Sequence, residues 1–234
     1  MIDTWITLAR GPLFRISLAI CLLGLLYRFG VAIAQIYHSH QRAGDRRLPR
    51  AVIFKTTLRW LFPWRLFRLR PLYSLSSLAF HVGILAVPLF YAGHVTLWQR
   101  SLAWRWPVLG PGVSDMLSLV AIGGLAAVLL SRLLIAASRD LTTREDVRIL
   151  VLLLVLTASG YWAAHPLSSP FAPRLMLLVH ILVGDLALIL TPLTKIVHCV
   201  LSPLTQLVSE VGWHFPAESG RHVAVALAKE NEPI

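Results

Sequence analysis

Charge is scarce in this chain. Asp, Glu, Lys and Arg together make up 14% of its 234 residues, against about 25% in an ordinary soluble domain. A soluble core of this size has no room for so much apolar sequence, and a mean hydropathy of +0.69 points to an integral membrane protein. Negative charge is scarcer still: 11 acidic residues stand against 22 basic ones, for a formal charge of +11. The basic residues gather in loops, so the surplus reflects topology in a membrane and not nucleic-acid binding. Cysteine is nearly absent. Cys21 and Cys199 both lie in apolar segments, with no Cys-x-x-Cys-His for covalent haem attachment and no Cys-rich run for an iron–sulfur cluster. They read as two small, buried, reduced side chains.

What the chain does have is apolar runs, at about 12–36, 72–98, 113–137, 149–164 and 175–200. A helix needs about 20 apolar residues to cross a bilayer, with about 17 as the lower edge. The fourth run is the shortest and must either tilt little or extend into its flanks. None alternates as the strands of a lipid-facing barrel do, which leaves helices. The expected fold is an all-α membrane protein with five transmembrane helices over residues 1–200 and a tail over 201–234. The "AIAQ" at 32–35 resembles a signal-peptide cleavage site. Asp3 near the start and the strongly basic flank after the first run oppose that reading, and the run is taken as a retained helix.

The loop 38–71 carries Arg42, Arg46, Arg47, Arg50, Lys55, Arg59, Arg65, Arg68 and Arg70. The next loop carries only Arg100 and Arg105, the third ("SRDLTTREDVR") is again charged, and the fourth has only Arg174. Positive-inside bias then sets the N-terminus outside and the C-terminus in the cytoplasm, as an odd number of spans requires. The expected location is the bacterial inner membrane, crossed several times. Within the first loop, "TTLRWLFPWRLFRLR" mixes Trp, Phe and Leu with Arg, the composition of an interfacial amphipathic helix resting on anionic lipid or of a docking site.

Histidine is where the apolar runs break their own rule. Of nine histidines, His38, His40, His165, His214 and His222 fall in loops or the tail, where a solvated role is expected. His81 and His94 lie in the second run, His180 and His198 in the fifth. Ionisable groups inside a membrane are costly and tend to mark function. On one continuous helix the eighteen residues from His180 to His198 make five full turns, placing both on one face about 27 Å apart. His81 and His94 would be about 20 Å apart and about 140° out of line, which a local rewinding at Pro88 would correct. With the two helices antiparallel, His94 meets His180 near one membrane surface and His81 meets His198 near the other. Two neutral imidazoles supply both axial positions of a haem iron, so the pattern reads as two redox centres, one per leaflet. Polar side chains that join helices by hydrogen bonds are the competing account.

"FHVGILAVPLFYAGH" and "HILVGDLALILTPLTKIVH" resemble the respiratory nitrate reductase gamma-subunit family. The longer interval between His81 and His94 brings the chain nearer the Dsr-type and heterodisulfide-reductase-like membrane cytochrome b branch. The resemblance implies two haem b groups as cofactors. His94 and His180 would hold the outer haem beside a quinone pocket, and His81 and His198 the inner haem. It implies electron transfer between the quinone pool and a cytoplasmic iron–sulfur subunit of a respiratory or sulfur-metabolism oxidoreductase complex, with further membrane or periplasmic subunits. The family's outer-side lysine near the quinone has no counterpart in this sequence, and Arg105 and Asp115 are the candidates for its place. Lys195, a turn before His198, suits a haem propionate or marks a helix end. Asp185 suits a hydrogen bond to a ligand histidine or a neighbouring helix, or a proton relay.

Two other classes stay open: a histidine-dependent metal or proton transporter, and a cofactor-free membrane anchor. Paired repeats or broken helices would favour the transporter, and neither is legible in the sequence. On the electron-transfer reading no acid–base or nucleophilic group is needed, because the work is the placing of cofactors. Trp60, Trp64 and Phe67 are the expected anchors for a soluble partner at the basic loop.

Overall fold

The computed structural model describes residues 1–42, 50–61, 64–102, 106–212 and 219–230. Arg46, Arg47, Trp104, Arg105 and residues 213–218 lie outside the described residues, as do the side chains of Arg42, Arg50, Trp60 and Arg65. The described chain is helical, with no strand among the described residues. Five helical stretches are long and apolar enough to cross a membrane: Ile2–Gln41, Pro71–Phe90, Pro111–Leu134, Arg144–Ala164 and Pro173–Leu190. The chain is a multi-pass membrane protein by that measure.

The first stretch is α1 (Ile2–Leu8), a π turn at Ala9–Leu13 around Pro12, and α2 (Phe14–Arg42). The basic loop forms α3 (Arg50–Leu61) and α4 (Trp64–Leu69), so the segment expected to be amphipathic and helical is helical. Then come α5 (Pro71–Phe90), α6 (Ala92–Leu102), α7 (Pro111–Leu134), the single turn α8 (Ala136–Arg139), α9 (Arg144–Ala164) and α10 (Pro173–Leu190). Last are α11 (His198–Gly212) and α12 (Ser219–Ala226). Proline sits in the first turn of α5, α7 and α10, where its missing N–H is no loss and its fixed φ suits a helix start. The fourth run does extend into its flank. Thr143 and Asp146 form a reciprocal capping box, which starts α9 at Arg144 and gives it 21 residues.

Packing divides the chain into two compact units, Met1–Leu22 with Trp64–Lys195, and Leu23–Pro63 with Ile196–Ile234. In the second unit α11 packs against α3. In the first, α5, α7, α9 and α10 pack in series, with α1 against α10. Glycine sets the closest approach, between α5 and α7. A Cβ at Gly83 would lie 2.7 Å from the Ala121 Cβ, and one at Gly124 would lie 2.6 Å from the Ser76 carbonyl oxygen. Small residues let membrane helices come close enough for dispersion to hold them. Beside that contact, Phe80, Leu125, Val128 and Leu150 form a buried cluster. The other face of α5 turns Leu72, Leu75, Leu78, Val82, Leu85 and Leu89 outward, a stripe at helical spacing that suits lipid and not water.

One end of this unit is charged. Arg132 reaches the Tyr73 hydroxyl (3.4 Å), the Thr142 hydroxyl (3.5 Å) and Asp146 (3.7 Å). The Lys195 ammonium donates to Asp146 (2.8 Å) and to the Thr143 hydroxyl (3.1 Å), and its backbone N–H donates to Glu145 (3.2 Å). At the other end Asp3 pairs with Arg174, and the N–H of Leu109 donates to the Phe90 carbonyl (2.9 Å).

Two expectations fail here. The fifth run is not one helix: α10 ends at Leu190, and Pro192 follows before a 3-10 turn at Lys195–Val197 and the start of α11 at His198. A proline lacks the donor that would continue the ladder. The shared-face arithmetic for His180 and His198 therefore does not apply. The second run also breaks, and the break is at Tyr91 (φ −69°, ψ 134°) and not a rewinding at Pro88. Pro88 removes the donor three residues earlier, and the chain resumes as α6 in a new direction.

Candidate functional site

Breaking the second run at Tyr91 is what positions His94. Its imidazole reaches back across the break, Nδ1 lying 3.1 Å from the Val87 carbonyl oxygen, which also accepts the Tyr91 N–H at 3.0 Å. A carbonyl has two lone pairs and accepts both. The Tyr91 ring stands edge-on to His94 with centroids 5.3 Å apart. A Cβ at Gly93 would fall 2.8 Å from that ring, so glycine is the residue that lets the bend close.

His180 comes from the second turn of α10. Its Nδ1 lies 3.0 Å from the carbonyl oxygen of Leu156 on α9. In a helix the side chain at i+4 normally screens the carbonyl of residue i, and at i+4 from Leu156 stands Gly160. A Cβ there would be 2.7 Å from His180 Cε1 and 2.9 Å from Nδ1. Gly160 thus opens both the carbonyl and the space the ring occupies.

The two half-buried rings meet. His94 Nε2 and His180 Nε2 are 3.4 Å apart, with the planes 28° from parallel and centroids 5.7 Å apart. A backbone carbonyl only accepts, so each Nδ1 carries the proton and each neutral ring turns a lone pair on Nε2 toward the other. Two opposed lone pairs repel unless a proton or a metal ion lies between them. Donation of the second ring N–H to a carbonyl is also the usual setting of a metal-ligating histidine, because it fixes tautomer and orientation. Metal–imidazole bonds run at about 2.0–2.1 Å, so an ion in line between two such nitrogens sets them about 4 Å apart. The 3.4 Å separation needs an opening of only about 0.6 Å to match.

His81 follows the same local rule: its Nδ1 lies 2.7 Å from the Ser77 carbonyl oxygen one turn back, which makes Nδ1 the protonated nitrogen. It belongs to the first unit. His198 belongs to the second, exposed at the start of α11, with Cys199 Sγ 3.7 Å from its Nε2.

A protein of Nitratidesulfovibrio vulgaris, whose name states no activity, is 35% identical over 156 residues. The match covers 63% of this chain and 65% of that protein, so the chain spans just under two thirds of its relative's length. No protein-family model and no solved structure matches.

Lys195 is bound into the α9 capping box. Asp185 is 3% exposed, and its Oδ2 has no hydrogen-bond partner among the described residues. His38, His40 and His222 are exposed, as a solvated role requires. His165 departs from that group. It caps α9, and its Nδ1 lies 2.9 Å from the Tyr161 carbonyl oxygen, its Nε2 3.3 Å from Asp115 Oδ2, and its ring 4.3 Å from that of Tyr161. Asp115 therefore meets a histidine. Gly160 and the contact between His165 and Asp115 escaped sequence reasoning. The one available signal was a glycine inside an apolar helix, which costs about 1 kcal/mol relative to alanine and calls for a packing reason.

Proposed function

We propose that the chain is a dihaem cytochrome b subunit of the nitrate reductase gamma-subunit type, nearer the Dsr-type branch, carrying electrons between membrane quinone and a cytoplasmic iron–sulfur subunit. The observation that carries the reading is the pair of Nε2 lone pairs from His94 and His180, 3.4 Å apart, with both Nδ1 protons committed to backbone carbonyls. Such a pair would hold one haem b. The pairing of His81 with His198 carries over from the sequence as the second ligand set.

When bound, haem b supplies one-electron carrier chemistry. The chain's own residues do the rest. The Val87 and Leu156 carbonyls hold each ring in one tautomer and raise its basicity. Gly160 admits the His180 ring, and the packed helices limit water. Positive-inside bias supports an outside N-terminus and a cytoplasmic C-terminus, with the charged end around Arg132 and Lys195 facing the cytoplasm. The bacterial inner membrane fits the bacterial relative. The helix breaks at Tyr91 and Pro192 match one feature of transporters, yet the opposed ligand-type nitrogens favour a bound metal centre.

The test is a visible spectrum of the purified protein. Two low-spin b haems are expected, with His94→Ala and His180→Ala each removing one, and His198→Ala the other. A colourless wild type, or two haems retained in all three variants, overturns the reading.

A further inference from the structure

We propose that His165 and Asp115 form the proton-accepting pair for a dihydroquinone oxidised beside the His94–His180 site, which rests on the electron-transfer reading above. His165 lies five residues beyond Gly160 on α9, about 7.5 Å along the axis, and Gly160 is in contact range of the His180 ring. Asp115 comes from the first turns of α7, which packs against α9. The pair thus stands at the same end of the first unit as the two facing imidazoles, roughly one and a half turns further out.

Its chemistry is set by the hydrogen bonds. The Tyr161 carbonyl takes the Nδ1 proton, which leaves Nε2 as the atom that gains and loses one. Neutral Nε2 and a carboxylate are both acceptors, so their 3.3 Å contact holds only when they share a proton. A pair built this way can hold one proton between His165 Nε2 and Asp115 Oδ2. At 3.3 Å the bond is long for N–H···O, and a hydroxyl donor can replace it at small loss. Tyr161 stacks on the ring at 4.3 Å and fixes its plane. The side chains are 33% and 40% exposed, enough to pass a proton to water. The other charged groups at this end are Asp3 and Arg174, which pair with each other, and Arg10, Arg15 and Arg100, which are exposed.

In the unloaded pair His165 is neutral and Asp115 ionised. A dihydroquinone donates its O–H to Nε2, the O–H bond breaks, and the proton joins His165 while Asp115 stabilises the cation. The two electrons would leave one at a time for a one-electron acceptor, the chemistry that a haem b held by His94 and His180 would supply. The second hydroxyl proton follows by the same route after the first has left for water. One dihydroquinone thus gives one quinone, two electrons to that acceptor and two protons to water by way of His165.

The experiment compares the wild-type holoprotein with His165→Gln and Asp115→Asn, each close to the original in size. Haem content, reduction by dithionite, fluorescence-detected binding of a hydroxyquinoline N-oxide quinol analogue and stopped-flow reduction by menadiol are measured. Expected is unchanged haem content and dithionite reduction, analogue binding within about threefold of wild type, and menadiol reduction slowed by roughly 100-fold in both variants, with a solvent deuterium isotope effect in the wild type alone. Wild-type menadiol rates in either variant overturn the pair's role even if thermal stability falls, since a structural contact predicts only that fall. A wild type without haem overturns the underlying reading and this role with it, whereas a haem-loaded wild type that dithionite but not menadiol reduces overturns this role alone.

Discussion

His94 and His180 come from helices far apart in sequence and face each other through Nε2 at 3.4 Å, each with its Nδ1–H held by a backbone carbonyl, Val87 for one and Leu156 for the other. That relationship bears on two accounts of a membrane histidine. A histidine that merely joins helices spends its ring nitrogens on hydrogen bonds to the neighbouring helix. Here one nitrogen of each ring is spent that way, and the remaining two are aimed at a common point.

The narrowest part of this arrangement is Gly160. An alanine there sets its Cβ 2.7 Å from His180 Cε1, so the ring must leave the Leu156 carbonyl or the helices must part. Gly160→Ala should lose about half of the bound haem on the proposed bis-histidine reading, matching His180→Ala, while membrane insertion and yield stay at wild-type level. Pyridine haemochrome content per chain measures this. Full haem content in Gly160→Ala would separate His180's setting from cofactor binding.

The α5–α7 contact offers an internal control. A side chain at Gly124 meets the Ser76 carbonyl oxygen and Phe80, whereas one at the adjacent Gly123 meets nothing within 4 Å. Overpacking a close interface costs about 1–3 kcal/mol. Gly124→Leu should therefore lower the thermal midpoint in detergent by several degrees, and Gly123→Leu should leave it unchanged. Equal effects from both would mean the close approach does not hold the bundle.

Much of this fold was legible because a bilayer allows few solutions: runs of apolar residues must be helices, and their number and order follow from counting. The fourth run was the instructive exception, since its helix begins where Thr143 and Asp146 cap it and not where the apolar run begins. What counting missed were the breaks. Tyr91 and Pro192 interrupt runs that hydropathy reads as continuous, and ideal helical rotation carried across them gave wrong angles. His94 and His180 were legible as a pair because the antiparallel order of the two runs, without any helical rotation, brings them to the same end. Gly160 and the His165–Asp115 contact were not legible, because they depend on which faces of α7, α9 and α10 meet.

At the charged end, Lys195 and Thr143 share Asp146. The Thr143 hydroxyl accepts the Asp146 N–H at 3.3 Å. Loss of such a cap costs about 0.5–2 kcal/mol. Thr143→Ala should destabilise α9 by about 1 kcal/mol in reversible denaturant titration, and Lys195→Met should cost less, as an exposed ion pair does. The double variant should fall short of the summed effects, because both act through one carboxylate. Strict additivity would show that the two contacts are independent.

Orientation is open to a direct test. In the proposed orientation the Arg132–Lys195 end of the first unit faces the cytoplasm. An alkaline phosphatase fusion in the 104–112 loop should be active, and one after residue 234 inactive. A fluorescent protein should give the reverse pattern. The opposite result inverts the assignment of the two proposed haems and moves His165 to the cytoplasmic face.

The last expectation concerns the partner. The chain has no iron–sulfur motif, and a one-electron carrier passes on what it receives, so the proposed function requires a recipient at the cytoplasmic end. Trp64 opens α4, is exposed, and has Phe67 one turn on with ring centroids 6.1 Å apart. Aromatic pairs of this kind anchor interfaces, whereas surrounding arginines mainly raise encounter rates and fix register. Lipid is the competing partner for the same rings. Because α11 packs against α3 and ends at Gly212, a tail truncation belongs after Gly212. Trp64→Ala and the truncated chain should both keep full haem content and menadiol reduction, while co-purification of the soluble subunit falls at least tenfold. Retained co-purification in both, with weaker binding of Trp64→Ala to anionic vesicles, would assign α4 to the lipid surface instead.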